Sequence, residues 1–181
     1  DAKLINFDDL TFFLPEINFL DSTASLKLFA EGDYADLNII SLDAALPNSK
    51  LNFSGRVKNL DEPSKLYFDV RGKDLELDPY DTRRVIPGLP VPDYGYVGKV
   101  FIPYASYKGE PDNFEAEIDF RSGVGNISGK GTLDLRGQES IYSGQFEAYG
   151  VNLGKFLKNK ELESNINGEF KTAGKGFDYR T

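Results

Sequence analysis

Carboxylates are the side chains in this sequence whose types and spacing come nearest to a reaction centre. Glu115, Glu117 and Asp119 recur at every second position, and Asp69 stands two residues before Arg71. Two carboxylates held at a fixed separation across a sugar are what glycoside hydrolysis requires. The alternation puts all of them on the side of a strand that also carries Lys and Arg, so the expectation is a solvated sheet face with cross-strand ion pairs. Asp8-Asp9 and Asp61-Glu62 offer oxygens to calcium, without the Asp-x-Asp-x-Asp-Gly ladder of a calcium loop. Gly123-Val124-Gly125 and Gly129-Lys130-Gly131 look superficially like phosphate loops, but neither stands between a strand and a helix and no Gly-Lys-Ser/Thr follows. The chain has no His and no Cys, which removes the commonest general base, thiolate chemistry, disulfides and the usual zinc ligands. No enzymatic activity, cofactor or metal site is expected. Tyr94, Tyr96, Tyr104 and Tyr107 cluster between Pro87 and Pro111. Tyr groups of this kind stack sugars or bases in some proteins, and a Tyr- and Pro-rich loop over the open end of a sheet is the favoured expectation.

The elements that must position these residues follow from composition and period. The chain has 181 residues, 40% apolar and 28% charged, with 13% aromatics. That is one domain with material for a core, and it is too rich in aromatics for general disorder. No apolar run approaches the roughly 20 residues of a membrane-spanning helix. The net charge of −8 argues against duplex DNA and against electrostatic docking on anionic lipid head groups. The absence of Met and the start at Asp1 lead us to expect a processed product or an excised fragment.

Period two dominates. Leu51, Phe53, Gly55 and Val57 alternate with polar residues, as do Leu66, Phe68, Val70 and Gly72. The same holds for Phe114, Ala116, Ile118 and Phe120, for Ile127 to Leu135, and for Tyr142 to Gly150. Side chains on a strand point alternately to opposite faces, so these are half-buried antiparallel strands with one wet face. Turn residues between them, such as Asp61-Glu62-Pro63 and Gly109-Glu110-Pro111-Asp112-Asn113, predict an all-β meander. Two short helices interrupt it. One is expected at 79–86, with Asp78 as N-cap and Pro79 in the first position. The other is expected at 152–159, with Leu153, Phe156 and Leu157 on one side.

These helices frame an internal repeat of roughly 70–80 residues, placed at approximately 49–122 and 123–177. Phe68-x-x-x-Gly72-x-x-Leu75 and Phe146-x-x-x-Gly150-x-x-Leu153 precede the two helices, and glycine-containing strands, 96–100 and 165–170, follow them. Units of this kind stack in one dimension and cover one another's apolar faces. Glycines at 55, 72, 98, 129, 131, 144, 150 and 168 fall in phase with the inward residues. Two compatible readings are curvature of the sheet and room in a groove for a ligand.

The phrase running from Ile141-Tyr142-Ser143-Gly144 through Leu153-Gly154-Lys155-Phe156-Leu157 to Ile166-Asn167-Gly168-Glu169-Phe170 and Gly174-Lys175-Gly176 resembles the repeating unit of the TamB and AsmA-like family. Leu75-Glu76-Leu77-Asp78-Pro79-Tyr80 is a looser first copy, and Ala35 to Leu42 is similar to another family phrase; the likeness spans residues 24–177. The resemblance implies a curled antiparallel sheet, the β-taco, with an apolar inside. It implies a fragment of a longer periplasmic protein anchored in the inner membrane of Gram-negative bacteria, which meets a Bam-type barrel in the outer membrane. It implies phospholipid transport or help in outer-membrane protein assembly, and brings no catalytic residues.

On this reading Phe53, Phe68, Val70, Ile102, Ile118, Phe120, Ile127, Leu133, Phe146, Ile166 and Phe170 line one lipid groove. Val85, Phe156 and Leu157 are expected to turn toward it as lids or plugs. The partner would be phospholipid acyl chains. The competing expectations are a scaffold that captures unfolded outer-membrane strands by β-augmentation and a carbohydrate-active β-domain.

Overall fold

A computed structural model of the chain describes residues 25–81 and 97–176. The alternating segments form one sheet of nine strands. They are β1 (Ser25–Gly32), β2 (Asp36–Ala45), β3 (Lys50–Lys58), β4 (Tyr67–Leu77), β5 (Val100–Glu110), β6 (Asn113–Ser122), β7 (Gly125–Asp134), β8 (Ile141–Val151) and β9 (Ile166–Lys175). Spatial order equals chain order and every neighbouring pair is antiparallel. The described strands do not close into a barrel, so β1 and β9 are the two edges. No described helix is long and apolar enough to cross a membrane.

The chain turns where the sequence places its turn formers. Pro111-Asp112 separates β5 from β6, and Gly123-Val124 separates β6 from β7. At the second of these the Ser122 hydroxyl donates to the Gly125 carbonyl at 2.9 Å. At the β7–β8 connection Asp134 accepts from the Arg136 amide at 3.1 Å and from its guanidinium at 2.9 and 3.0 Å.

Two segments differ from the sequence-based expectation. The strand expected at 96–100 begins only at Val100 and continues to Glu110, and Gly98 precedes it with φ +71. Tyr104 and Tyr107 therefore lie on β5 rather than in a loop; Tyr94 and Tyr96 lie outside the described residues. Hydrogen bonds to β4 and β6 on either side outweigh the Tyr- and Pro-rich composition of this segment. The helix α1 is only Leu153–Phe156, capped by the Asn152 side chain, which accepts from the Lys155 amide. A positive φ at Lys158 ends it, and a 3₁₀ turn at Lys160–Leu162 follows. Of the helix expected at 79–86, residues 79–81 are helical and begin after Asp78, whose carboxylate accepts from the Tyr80 amide at 2.8 Å. The remainder, Val85 included, lies outside the described residues.

Among the described residues the tightly buried core is small. Leu75, Val97, Val100, Ile102 and Val124 form it, with Leu51, Phe53, Leu77, Ala105, Ile118 and Phe120 packed against them. A fully buried aliphatic side chain contributes about 1.5–3 kcal/mol, so this cluster anchors β4, β5 and β6 to one another and to the turns beside them. Elsewhere most of the apolar face is only half-buried.

Candidate functional site: the apolar face of the sheet

Register places the apolar residues in rows that run across the strands. One row crosses all nine: Leu28, Leu42, Phe53, Gly72, Ala105, Ile118, Gly129, Phe146 and Phe170 stand opposite one another in turn. A second row holds Gly55, Val70, Tyr107 and Ala116, and a third holds Val57, Phe68, Gly109, Phe114, Leu133 and Tyr142. Phe120 stands opposite Ile127, and Val151 opposite Ile166. Phe53, Phe68, Val70, Ile118, Phe120, Ile127, Leu133, Phe146, Ile166 and Phe170 thus share a face. Ile102 joins them through the core, where it packs with Leu75 beside Phe53 and Ile118.

Ile102 reaches that face by a change of phase. Apolar residues on β4 are even-numbered as far as Gly72 and odd-numbered at Leu75 and Leu77. Asp74 between them has φ +51, which turns the strand over. On β5 the corresponding break lies between Phe101 and Tyr104, where the ladder with β6 shifts register. Bulges of this kind bend a strand and re-aim its side chains.

Aromatic rings lie over some of the inward glycines, while backbone crowds others, as the Asp69 carbonyl does at Gly55. Phe146 lies along the sheet, so that a Cβ added at Gly129 would meet its ring at 2.6 Å, and one added at Gly144 would collide with it. Tyr142 lies over Gly174 in the same way. The space at Gly129, Gly131 and Gly144 is therefore taken by the Phe146 ring together with the β8 backbone carbonyls of Gln145 and Ser143. Gly150 acts through its backbone instead. With φ +64 it sits where the β8–β9 ladder shifts register.

An aromatic cluster strengthens one end of the face, and two of its three rings are absent from the groove residues expected from the sequence. Phe68 meets Tyr107 edge-on with ring centroids 5.9 Å apart, and Tyr107 stacks on Phe114 at 4.6 Å. The Tyr107 hydroxyl donates to the Glu110 carbonyl at 2.9 Å. Burial, and secondarily the Asp112 charge, raises its pKa above the ordinary tyrosine value. Period two on β5 and β6 is the signal that finds Tyr107 and Phe114 once β5 is read as a strand.

Phe156, the last residue of α1, and Leu157, its C-cap, are 42% and 55% exposed. The face of the turn that packs inward is Gly154, against Asn159 and Glu163. Leu153 is held by its amide, which donates to Ser164 at 2.8 Å.

The opposite face is polar and its charges alternate across the strands. Arg56 stands opposite Asp69, Asp69 opposite Lys108, Lys108 opposite Glu115, and Glu117 opposite Lys130. Arg121 holds Asp119 at 2.8 Å and Arg71 lies 3.6 Å from Asp69, both along one strand rather than across two. Successive same-side residues on a strand are near enough for a long guanidinium to reach back. Among the described residues no group of side chains is placed to hold a metal ion. What the fold offers chemically is an extended apolar surface on one side and a polar surface carrying charges of both signs on the other. No family model, no curated protein and no solved structure matches this chain.

Proposed function

We propose that the apolar face lines an open trough for phospholipid acyl chains. The chain would be a non-enzymatic groove segment of a TamB or AsmA-like periplasmic protein, conducting phospholipid between inner and outer membranes. The observation that carries this reading is the row from Leu28 to Phe170, apolar across every strand and only half-covered over most of its length. A sheet with one apolar face needs a second layer, and the described residues supply little of one. An acyl chain laid on such a face gains about 0.8 kcal/mol for each methylene removed from water. Rings over glycines keep the surface smooth, which suits a ligand that slides.

The repeat gains support from the helix starts. The Asp78 amide donates to Ser49, and the Asn152 amide donates to the Val124 carbonyl, each at 2.9 Å. In both cases the residue that begins a helical turn is tied to the residue just before the strand preceding its own. A longer protein would carry the membrane anchor and the contact with a Bam-type barrel elsewhere in its chain.

Native mass spectrometry after gentle purification tests the reading, together with a photo-crosslinking residue at Ile118. Co-purified phospholipid and a lipid adduct at Ile118 are the expected result; an apo mass with no adduct overturns it. The carboxylates have no part in this function, so Glu117→Gln and Asp119→Asn should leave lipid capture intact. The edge that β9 forms among the described strands favours a second reading, capture of an unfolded outer-membrane strand by β-augmentation. A strand peptide in place of lipid in the same spectra would favour that one.

A further inference from the structure

Nine antiparallel strands in chain order leave β1 and β9 running in the same direction. A copy set beside β9 by simple translation would therefore make a parallel pair. A half-turn about the sheet normal instead brings β9 against β9 antiparallel, and keeps both apolar faces on the same side. Edge strands are usually blunted against such pairing. β1 fits that pattern, with eight residues and a register break between Phe29 and Ala30. β9 has ten residues, is exposed along nearly all of them, and keeps an unbroken ladder from Gly168 to Lys175.

Charge selects the occupant and the register. The alternation seen on the polar face ends at Lys130, which stands opposite Gln145, and at β9 it gives way to like charge and to unpaired charge. Glu169 stands opposite Glu147, and Lys171 stands opposite the uncharged Gln145. Neither joins an ion pair among the described residues. We infer that β9 pairs with β9 of a second copy of this chain, about a two-fold axis at Phe170. In that register Glu169 faces Lys171 of the second copy, and Lys171 faces its Glu169. Moving the axis by one residue either way sets Glu169 against Glu169 or Lys171 against Lys171, and like charges directly opposed destabilise a ladder. The axis at Phe170 also pairs this ring, 48% exposed in the single chain, with its own copy. The apolar row then runs without interruption from one sheet into the next.

The test is the mass of the 181-residue chain in solution by sedimentation velocity. The expected parent species is a dimer. Glu169→Lys and Lys171→Glu should each weaken it by roughly tenfold or more, since two attractive pairs become two repulsive ones. An equimolar mixture of the two variants should recover the dimer, because each presents the charge the other needs. The combined Glu169→Lys/Lys171→Glu variant should recover it too. Because the chain has no Cys, Phe170→Cys reports the axis: mild oxidation should give a covalent dimer. A monomeric parent, a dimer indifferent to both reversals, or a mixture that stays monomeric overturns the inference. No lipid is involved, so a dimer that carries no lipid adduct would retain this inference and remove the proposed function.

Discussion

The buried Ser49 hydroxyl donates to the buried Asp81 carboxylate over 2.9 Å, fastening the loop before β3 to the helical turn after β4. Asp81 also accepts from the Asn48 amide at 2.7 Å, while the Ser49 oxygen accepts from the Asp78 amide at 2.9 Å. Removing the carboxylate leaves the buried Ser49 hydroxyl and the part-buried Asn48 amide without this acceptor. Asp81→Ala should cost about 2–3 kcal/mol and Ser49→Ala about 1 kcal/mol. In urea melts the double variant should lose less than the sum, because both changes remove the same bond. Independent, additive losses would show that the two residues act separately.

The bed of glycines under Phe146 makes a volume prediction. Gly144→Ala places a methyl where the Phe146 ring lies. The ring must lift from the sheet, at a cost of about 1–3 kcal/mol. Adding Phe146→Leu to Gly144→Ala should return part of that loss. Thermal melts of the three variants decide it: a Gly144→Ala protein as stable as the parent would mean that the ring moves aside freely.

Charge placed on the apolar face separates an open surface from a closed core. Ile127 is 37% exposed and Ile102 only 7%. Ile127→Asp should keep its carboxylate hydrated and lose no more than about 1 kcal/mol. Ile102→Asp buries an unpaired charge and should cost several times as much, about 3–5 kcal/mol. Circular dichroism on heating gives both. Cooperative unfolding of the two variants alike would make the face a dry core and defeat the trough.

Acid should act on the β7–β8 turn. The Arg136 guanidinium and amide hold the Asp134 carboxyl down from 3.8 to about 2. A depressed carboxyl contributes stability that is fully present above its unfolded value and is lost as pH falls through the folded one. The turn should therefore loosen between about pH 4 and 2, not near neutrality. In an NMR titration the Asp134 carbon should show its midpoint at the bottom of that window. In Arg136→Gln it should move back toward the ordinary aspartate range. An unchanged midpoint would remove Arg136 as the cause.

The strands are legible in the sequence because one side of each is wet, which writes period two into residues such as Phe114 to Phe120. The face shared by Phe53, Ile118 and Phe146 follows from the same rule. Less legible is whatever depends on a local break in that rule. Leu75 and Ile102 change phase across Asp74 and across 101–104, and only the shift from even- to odd-numbered apolar residues on β4 hints at it. Val97 and Val124, both core residues, sit in connections where periodicity has no meaning. Asp81 gives no signal, since an acidic residue in a first helical turn ordinarily faces water, and its burial depends on Ser49, more than 30 residues earlier. The helix α1 stops short of its sequence pattern, because the apolar spacing of Leu153, Phe156 and Leu157 continues up to the point where Lys158 leaves helical geometry.

Strand order equal to chain order has a mechanical consequence. Tension applied through residues 25 and 175 loads the edge strands β1 and β9, and each can peel from its neighbour a few hydrogen bonds at a time. A sheet whose end strands lie in its interior would instead be sheared, with many bonds loaded together. In an optical trap this chain should extend in a staircase of small, low-force steps, each close to the length of one released strand. The part held by Leu75, Ile102 and Val124 should give way last. Such a sheet lengthens gradually under load instead of failing at one threshold.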